Sequence, residues 1–367
     1  MSKTLQQIIG GRNLTGLIQG VRPGIPKDVL PATLFSGASR KQVKGNTASY
    51  YRVNGTRKTA RLAAYGGPSQ ARTLEGVSEQ PVVLLHTFEH VNHAMTTLTN
   101  IESTDGNVQK LGQQEVDRQT AEFGDVFDNL RAASVMSAFG KGAVHFDGDG
   151  NLLPTSSGAS VTVDFAIPAG NKDQLDVFGT GAIIGASWAT AGTKIITDLM
   201  EIHQAAIRKT GYRLRHAIYG KNILDYLLTN TQAKELINRN QNFQSAAAGG
   251  MIPQGFGDLT WWPGYQSMFF EDQNGTFQSV IGDDDIVFFP EPDSTWYELL
   301  EGTFPVPQNI NITPSGGASV GNFSEVAGRF SYATIETDPP SIKHMAGDTF
   351  LPAIKVPGAV FIADTTP

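Results

Sequence analysis

The chain has 367 residues, of which 40% are hydrophobic and 17% charged, with a net charge of −7 and no cysteine. Missing thiols exclude disulfides and thiolate metal sites. No apolar run approaches the ~18 residues of a bilayer span, and the opening MSKTLQQIIGGRNLTG lacks the apolar stretch of a secretory signal. The expectation is a protein made and used in a reducing cytoplasm. A charged fraction below the ~25% of ordinary globular domains suits a surface hidden against partners, and equally a Gly- and Thr-rich β protein. At ~150 residues per domain, the length predicts two domains or one elaborate one.

The overall charge conceals a segregation. Residues 1–75 hold twelve Lys and Arg against only Asp28 and Glu75, a balance of +10, and the remainder carries −17. A basic leading region on an acidic body predicts binding to something negative, either nucleic acid or the body of a neighbouring copy.

Residues 1–45 read as an arm: Gly, Pro and basic residues recur without an apolar period, and Pro23, Pro26 and Pro31 favour an extended path. Residues 46–66 read as a hairpin about Asn54-Gly55, with Tyr50, Tyr51 and Val53 on one strand and Thr59 to Tyr65 on the other. Arg52, Arg57, Lys58 and Arg61 decorate it. An isolated hairpin is marginal in water, so this one needs a partner surface.

The longest helical pattern covers 112–139. Val116, Phe123, Val126, Phe127, Leu130, Ala133 and Ser137 recur at helical spacings, and Glu115, Asp117, Glu122, Asp125 and Asp128 fill much of the rest. A helix of that length is ~42 Å long, a strut rather than a compact-domain helix. Strands are expected at Ala143–Phe146 and Val161–Ile167 around a turn that begins Asp147-Gly-Asp-Gly-Asn151. A second helix is expected over 188–209, capped by Thr190 or Thr193 and closed by Gly211. Short helices follow at Asn222–Leu228 and Thr231–Asn238, then a Gly/Ala-rich loop over 243–258. Beyond Leu259 the pattern turns to β: a hairpin at Asn274-Gly275, strands at Ile286–Phe289, Phe330–Glu336 and Val360–Ala363, and a polar Gly/Ser loop over 311–322.

Several of these segments, taken in order, resemble the lambda-type major capsid proteins of tailed phages, the major capsid protein E family. They are FDGDGNL (146–152), VTVDFAIP (161–168), Trp188 leading into a helix with Asp198-Leu199 and Thr210-Gly211, and Leu227 to Asn230. The aromatic hairpin at Tyr265 and Asn274-Gly275, IVFFP (286–290) and FLPAIKVPGAVFIAD (350–364) complete the set. The sequence departs where the family often has Pro after the Trp, since Ala191-Gly192 stand there, and in its Gly/Ser insertions. The resemblance implies an α+β, HK-97-like capsid fold. Residues 1–45 would be the N-terminal arm and 46–80 the extended loop across a neighbour. Residues 81–185 would form the peripheral domain with spine helix 112–139, 186–325 the axial domain, and 326–367 strands returning to the periphery. It further implies a shell subunit rather than an enzyme, with no cofactor. Its partners would be itself in hexamers and pentamers, scaffold, portal and decoration proteins, and double-stranded DNA bound non-specifically inside; no membrane is expected. The virion capsid, assembled in the host bacterial cytoplasm, is the expected location. Within that frame, Arg52, Arg57, Lys58 and Arg61 are expected to meet Glu115, Asp117, Glu122, Asp125 and Asp128 of an adjacent copy.

Rival motifs point elsewhere. His86-Thr-Phe-Glu89-His90 matches an H-x-x-E-H metallohydrolase pattern; on a helix both imidazoles would share a face and could hold zinc, with Glu89 as base. Asp147-Gly-Asp149-Gly-Asn151 mimics half of a calcium loop, but Leu152 and Gly158 occupy the positions that need Gly and Glu. Gly179-Thr-Gly181-Ala-Ile-Ile-Gly185 imitates a dinucleotide loop without a βαβ frame. Trp261, Trp262, Tyr265, Phe269 and Phe270 could stack nucleic-acid bases, although Glu271, Asp272 and Asp283–Asp285 would repel phosphate. Core packing, turn formation and a solvated face are the ordinary readings of these segments. A cellular nanocompartment shell of the same fold is the remaining alternative to a phage head.

Overall fold

The computed structural model describes residues 40–53, 77–93, 106–267, 269–271, 275–307, 310–312, 318–320, 323–337 and 340–367. The expected arm lies outside this set except for its end. Four strands come first: β1 (Arg40–Val43), β2 (Thr47–Val53), β3 (Val77–Val83) and β4 (Leu85–His93). Helix α1 (Gly106–Gly140) leads to β5 (Ala143–Phe146), β6 (Leu152–Leu153), β7 (Val161–Asp164) and β8 (Lys172–Asp173). Next are α2 (Ile195–Thr210), β9 (Leu214–Tyr219), α3 (Ile223–Thr229), α4 (Thr231–Arg239), α5 (Gln241–Ala248), β10 (Thr260–Pro263) and the single turn α6 (Gly264–Ser267). The rest is β: β11 (Phe269–Glu271), β12 (Phe277–Ser279), β13 (Asp285–Pro290), β14 (Tyr297–Pro307), β15 (Ile310–Ile312) and β16 (Ala318–Val320). The last four are β17 (Phe323–Ala327), β18 (Phe330–Thr337), β19 (Pro340–Ile354) and β20 (Phe361–Asp364).

A five-stranded sheet, in the order β10-β9-β13-β20-β8, separates two apolar layers. Alternation along the strands assigns each residue to one layer. Ile218, Val287, Phe289 and Ile362 face the C-terminal half of α1 and the small β5–β7 sheet, where Phe139 is fully buried among Phe289, Trp296 and Tyr297. Ala217, Tyr219, Ile286, Phe288, Phe361 and Ala363 face α2, α3 and α4. Gly211 ends α2 in the left-handed region at φ 84°, as its position predicts. The start of α2 differs from expectation: the helix opens at Ile195, and Thr193 instead donates to the Ser187 carbonyl at 2.6 Å. Asn230 caps α4, accepting from the amides of Gln232 and Ala233.

A six-stranded sheet carries the rest. β19 is its axis: β4 runs along one side, and β18 then β14 along the other. Helix α1 covers one face, with Phe123 and Phe127 against Ala346. At 35 residues α1 is ~52 Å long and begins before the expected 112; each of its interior glycines, Gly112 and Gly124, costs only ~1 kcal/mol inside a helix and does not stop it. Val126, expected on the apolar stripe, is exposed.

Within residues 186–325, β9, β10 and β13 join β8 and β20 in the five-stranded sheet, whereas β14 pairs with β1 and β19 beside α1. Two further expectations change. The Gly/Ala-rich stretch over 243–258 begins inside α5, because three consecutive alanines favour helix. The polar 311–322 stretch contributes to an antiparallel pair, Ile310↔Val320 to Ile312↔Ala318.

Candidate assembly interface

β2 pairs with β3 from Thr47↔Val83 to Val53↔Val77. The expected partner strand, 59–65, lies outside the described residues together with Asn54-Gly55, Arg57, Lys58 and Arg61. The alternation of β3 suits this pairing: Tyr50, Ala48 and Val82 face inward onto Leu300, Leu351 and Ala353. The opposite face of this ribbon presents Tyr51, Val53, Val77 and Val83 to solvent, with Val77 65% exposed. Arg52 is held within its own subunit, its Nη2 donating to the Asp164 carbonyl at 2.8 Å and its guanidinium 5.8 Å from the Tyr50 ring.

The acidic residues of α1 divide. Arg118 bridges Glu115 at 2.8 Å and Glu122 at 3.2 Å on the same helix. Asp128 turns inward to Arg329. Asp125 is exposed and Asp117 half-buried. Of the four expected basic residues, Arg52 is among the described ones, and it is held at Asp164.

Sequence reasoning missed a buried ionic cluster between α1 and the sheet. Arg131 grips Asp348 in a fork, Nε to Oδ2 and Nη2 to Oδ1 both at 2.5 Å, and reaches Glu301 at 2.8 Å. Arg329 meets the same Asp348 oxygen at 3.4 Å. Burial opposes the charge on Arg131, but its bonds to Asp348, and secondarily Glu301, outweigh that and hold its pKa above the ordinary value. The partners are about 170 to 220 positions apart in sequence, so no local pattern announces them.

The sheet face opposite α1 carries rings. Phe304 and Phe330 stack at 4.1 Å, and His86, Phe88 and Tyr332 extend the array at 5.4–6.3 Å. This placement removes the zinc reading. His86 and His90 lie on strand β4, four positions apart and therefore ~13 Å, too far for one ion. Glu89 alternates to the other face, and His86 Nδ1 is engaged with Thr349 Oγ1 at 2.8 Å. β4 is a strand because Leu85 to His93 pair with β19 throughout.

The other motifs take structural roles. Asp147 Oδ1 accepts from the amides of Asp149 and Asn151, an Asx turn, and these bonds hold its pKa below the ordinary carboxylate value. Gly179–Gly185 lies in irregular chain between β8 and α2. Trp261 is buried and donates to the Phe256 carbonyl at 2.7 Å.

A long helix laid on a sheet built around one axial strand, a second sheet carrying the remaining helices and a projecting ribbon define a shell-forming subunit of the HK-97-like capsid class. The solved structure of a putative capsid protein of an Escherichia coli CFT073 prophage is similar with a TM-score of 0.57 at 13% identity, covering 97% of this chain and 98% of that one. A phage-related protein of Bordetella bronchiseptica RB50 is similar at 0.46 and 12% identity, covering 97% of each. No curated protein sequence matches. The model of the phage major capsid protein E family matches residues 21–298, and the chain belongs to that family. It is a structural component of a phage head shell, not an enzyme.

Proposed function

We propose that this chain closes into hexamers and pentamers and that these tile an icosahedral head around double-stranded DNA. The ribbon carries the reading. Its inner face rests on its own subunit, its outer face is apolar and exposed, and between Val53 and Val77 the sequence holds Arg57, Lys58, Arg61 and Arg72 against Glu75 alone. A basic segment of this kind fits a contact with an adjacent copy, where charge sets register and encounter rate while apolar burial holds the contact. In this reading, α1 with the six-stranded sheet is the peripheral part, and the five-stranded sheet with α2–α5 is the axial part. The leading basic arm lies against neighbours or the packaged DNA. Scaffold, portal and decoration proteins complete the head, built in the host bacterial cytoplasm. Reversing Arg57 and Lys58 to Glu should stop shell formation in the absence of DNA; normal empty shells from that variant, seen by negative-stain microscopy, would remove the clamp.

A further inference from the structure

We propose that His216 and Trp262 form an acid-operated latch at the edge of the five-stranded sheet: the neutral imidazole holds the indole down, and protonation releases it. The latch is a property of the single chain and goes beyond the shell reading above.

His216 lies buried on β9, its ring stacked on Phe289 of β13 at 5.3 Å. Both ring nitrogens are engaged. Nδ1 meets Nε1 of Trp262 at 3.3 Å, and Nε2 meets Oε2 of Glu291 at 2.7 Å. An indole N–H can only donate, so Nδ1 must offer a lone pair and the ring proton must sit on Nε2, facing the carboxylate. One tautomer of one protonation state satisfies both contacts. The imidazolium carries a proton on each nitrogen. Acid therefore turns the Trp262 contact into two opposed donors while it strengthens the bond to Glu291. The ring is drawn to one partner and repelled by the other.

This arrangement is particular to Trp262. The chain has four tryptophans. Trp188 donates to Asp198 Oδ2, Trp261 to the Phe256 carbonyl and Trp296 to the Glu291 carbonyl. Two of those acceptors are main-chain oxygens, and a carboxyl still has an oxygen to offer when protonated. The imidazole is the acceptor whose free lone pair disappears on protonation.

The charged and titratable groups of the surrounding elements have their own partners. Arg213 and Arg215, just before His216 in the chain, bridge Asp258. Tyr212 bonds Thr295 at 2.9 Å, and Asp293 accepts from the Thr295 amide at 2.7 Å. Lys141, at the end of α1, lies 3.9 Å from Asp285. β10 brings Thr260 and Trp262 beside the ring, and β13 brings Phe289. Among the described residues this leaves Glu291 as the charge that the ring faces.

The main chain around Trp262 is seated tightly. β10 is the edge strand of its sheet, paired in parallel with β9, and Trp261 is buried on its other face. Just beyond it, a Cβ at Gly264 would stand 2.6 Å from Ile218 Cγ2. Release therefore turns the half-buried indole and leaves the strand in place. Trp262 and Phe270 of the following hairpin both pack over the apolar layer beneath α1. Turning the indole uncovers part of that layer, at the corner whose hairpin already exposes Phe269 and Phe277.

UV resonance Raman spectra of the full chain, taken between about pH 8 and pH 5, the range in which imidazoles titrate, read the hydrogen bonding of its indoles. The unsubstituted chain should lose the signal of one bonded indole in a single step. Trp262→Phe and His216→Gln should each abolish that step, since glutamine offers an acceptor that does not titrate. Glu291→Gln, at an exposed position, keeps the fold and removes the charge that favours the imidazolium, so its step should move to lower pH. A band that is constant across the range overturns the latch, as does a step that survives Trp262→Phe or His216→Gln. A Glu291→Gln midpoint that stays in place or rises overturns it too. A step accompanied by loss of far-UV circular dichroism is unfolding, and equally overturns it.

Discussion

Arg131 on α1 and Asp348 on β19 hold each other through two parallel bonds of 2.5 Å, and Asp348 is fully buried. This pair fixes the helix over the sheet at one register, and Asp348 also faces Arg329. Breaking a buried pair by removing one partner strands the other charge, which costs about 3–5 kcal/mol. Asp348→Ala leaves two guanidiniums short of a carboxylate and should lie at the upper end, read as a drop in urea midpoint. Arg131→Met together with Asp348→Leu should recover part of the loss, and a double-mutant cycle would show a coupling between them.

Acid should weaken the fold before its carboxylates titrate. Burial lowers the pKa of His203 below the unfolded value of 6.5, while its Nε2 donates to the Gly257 carbonyl at 3.0 Å. The unfolded chain therefore binds more protons in the window between the two values. The His203 contribution is complete above the unfolded pKa and is lost as pH falls through the folded one. His86, lowered mainly by burial as well, acts in the same direction. Melting temperature should fall between about pH 7.5 and pH 5, and His203→Gln should flatten that slope; an unchanged slope would assign the effect elsewhere.

Local signals were legible and distant ones were not. The stop of α1 at Gly140, the cap at Gly211, the strand at Ala143–Phe146 and the Asp147 turn each depend on a few neighbouring residues, and each is found where the sequence places it. β14 has no counterpart among the expected strands, and β19 is expected only as an unbounded part of the strands over 326–367, although these two are the longest strands among the described residues. β19 is interrupted by Gly347 and Pro352, and its identity as a strand comes from β4, β14 and β18 on either side, the last two supplying no alternation that the sequence alone would register. The same reason hid the candidate site. Phe88, Phe304 and Phe330 are far apart in the chain and meet only through the pairing of β4, β14 and β18 around β19. The H-x-x-E-H pattern misled because residues four apart coincide on a helix but separate along a strand.

Asn230 joins two helices to the segment before α2. Its Oδ1 accepts from the amides of Gln232 and Ala233, and its Nδ2 donates to the carbonyls of Ala191 at 3.2 Å and Thr193 at 2.7 Å. Loss of a cap costs about 1 kcal/mol, and each further buried bond about 0.5–1.5 kcal/mol. Asn230→Ala should therefore destabilise by about 2–3 kcal/mol. Asn230→Asp keeps the cap but removes both donors, and should fall between the two in chemical denaturation.

Gly347 tests whether the aromatic array is a packed unit or a chance proximity. A Cβ at this position would stand 2.4 Å from Phe330 Cζ and 2.7 Å from the Thr87 carbonyl oxygen. The first contact is a side chain that can swing and the second is backbone that β4 pairing holds in place. Gly347→Ala should therefore expel Phe330 from its 4.1 Å stack on Phe304, at a cost of about 1–3 kcal/mol from overpacking. Because Phe330 is fully buried, its displacement exposes apolar surface, so the variant should bind a hydrophobic dye that the parent does not. Phe330→Leu in the same chain makes room for the methyl and should restore most of the melting temperature without restoring the stack. If Gly347→Ala alone leaves stability and dye binding unchanged, the rings are not packed against the β19 backbone as described.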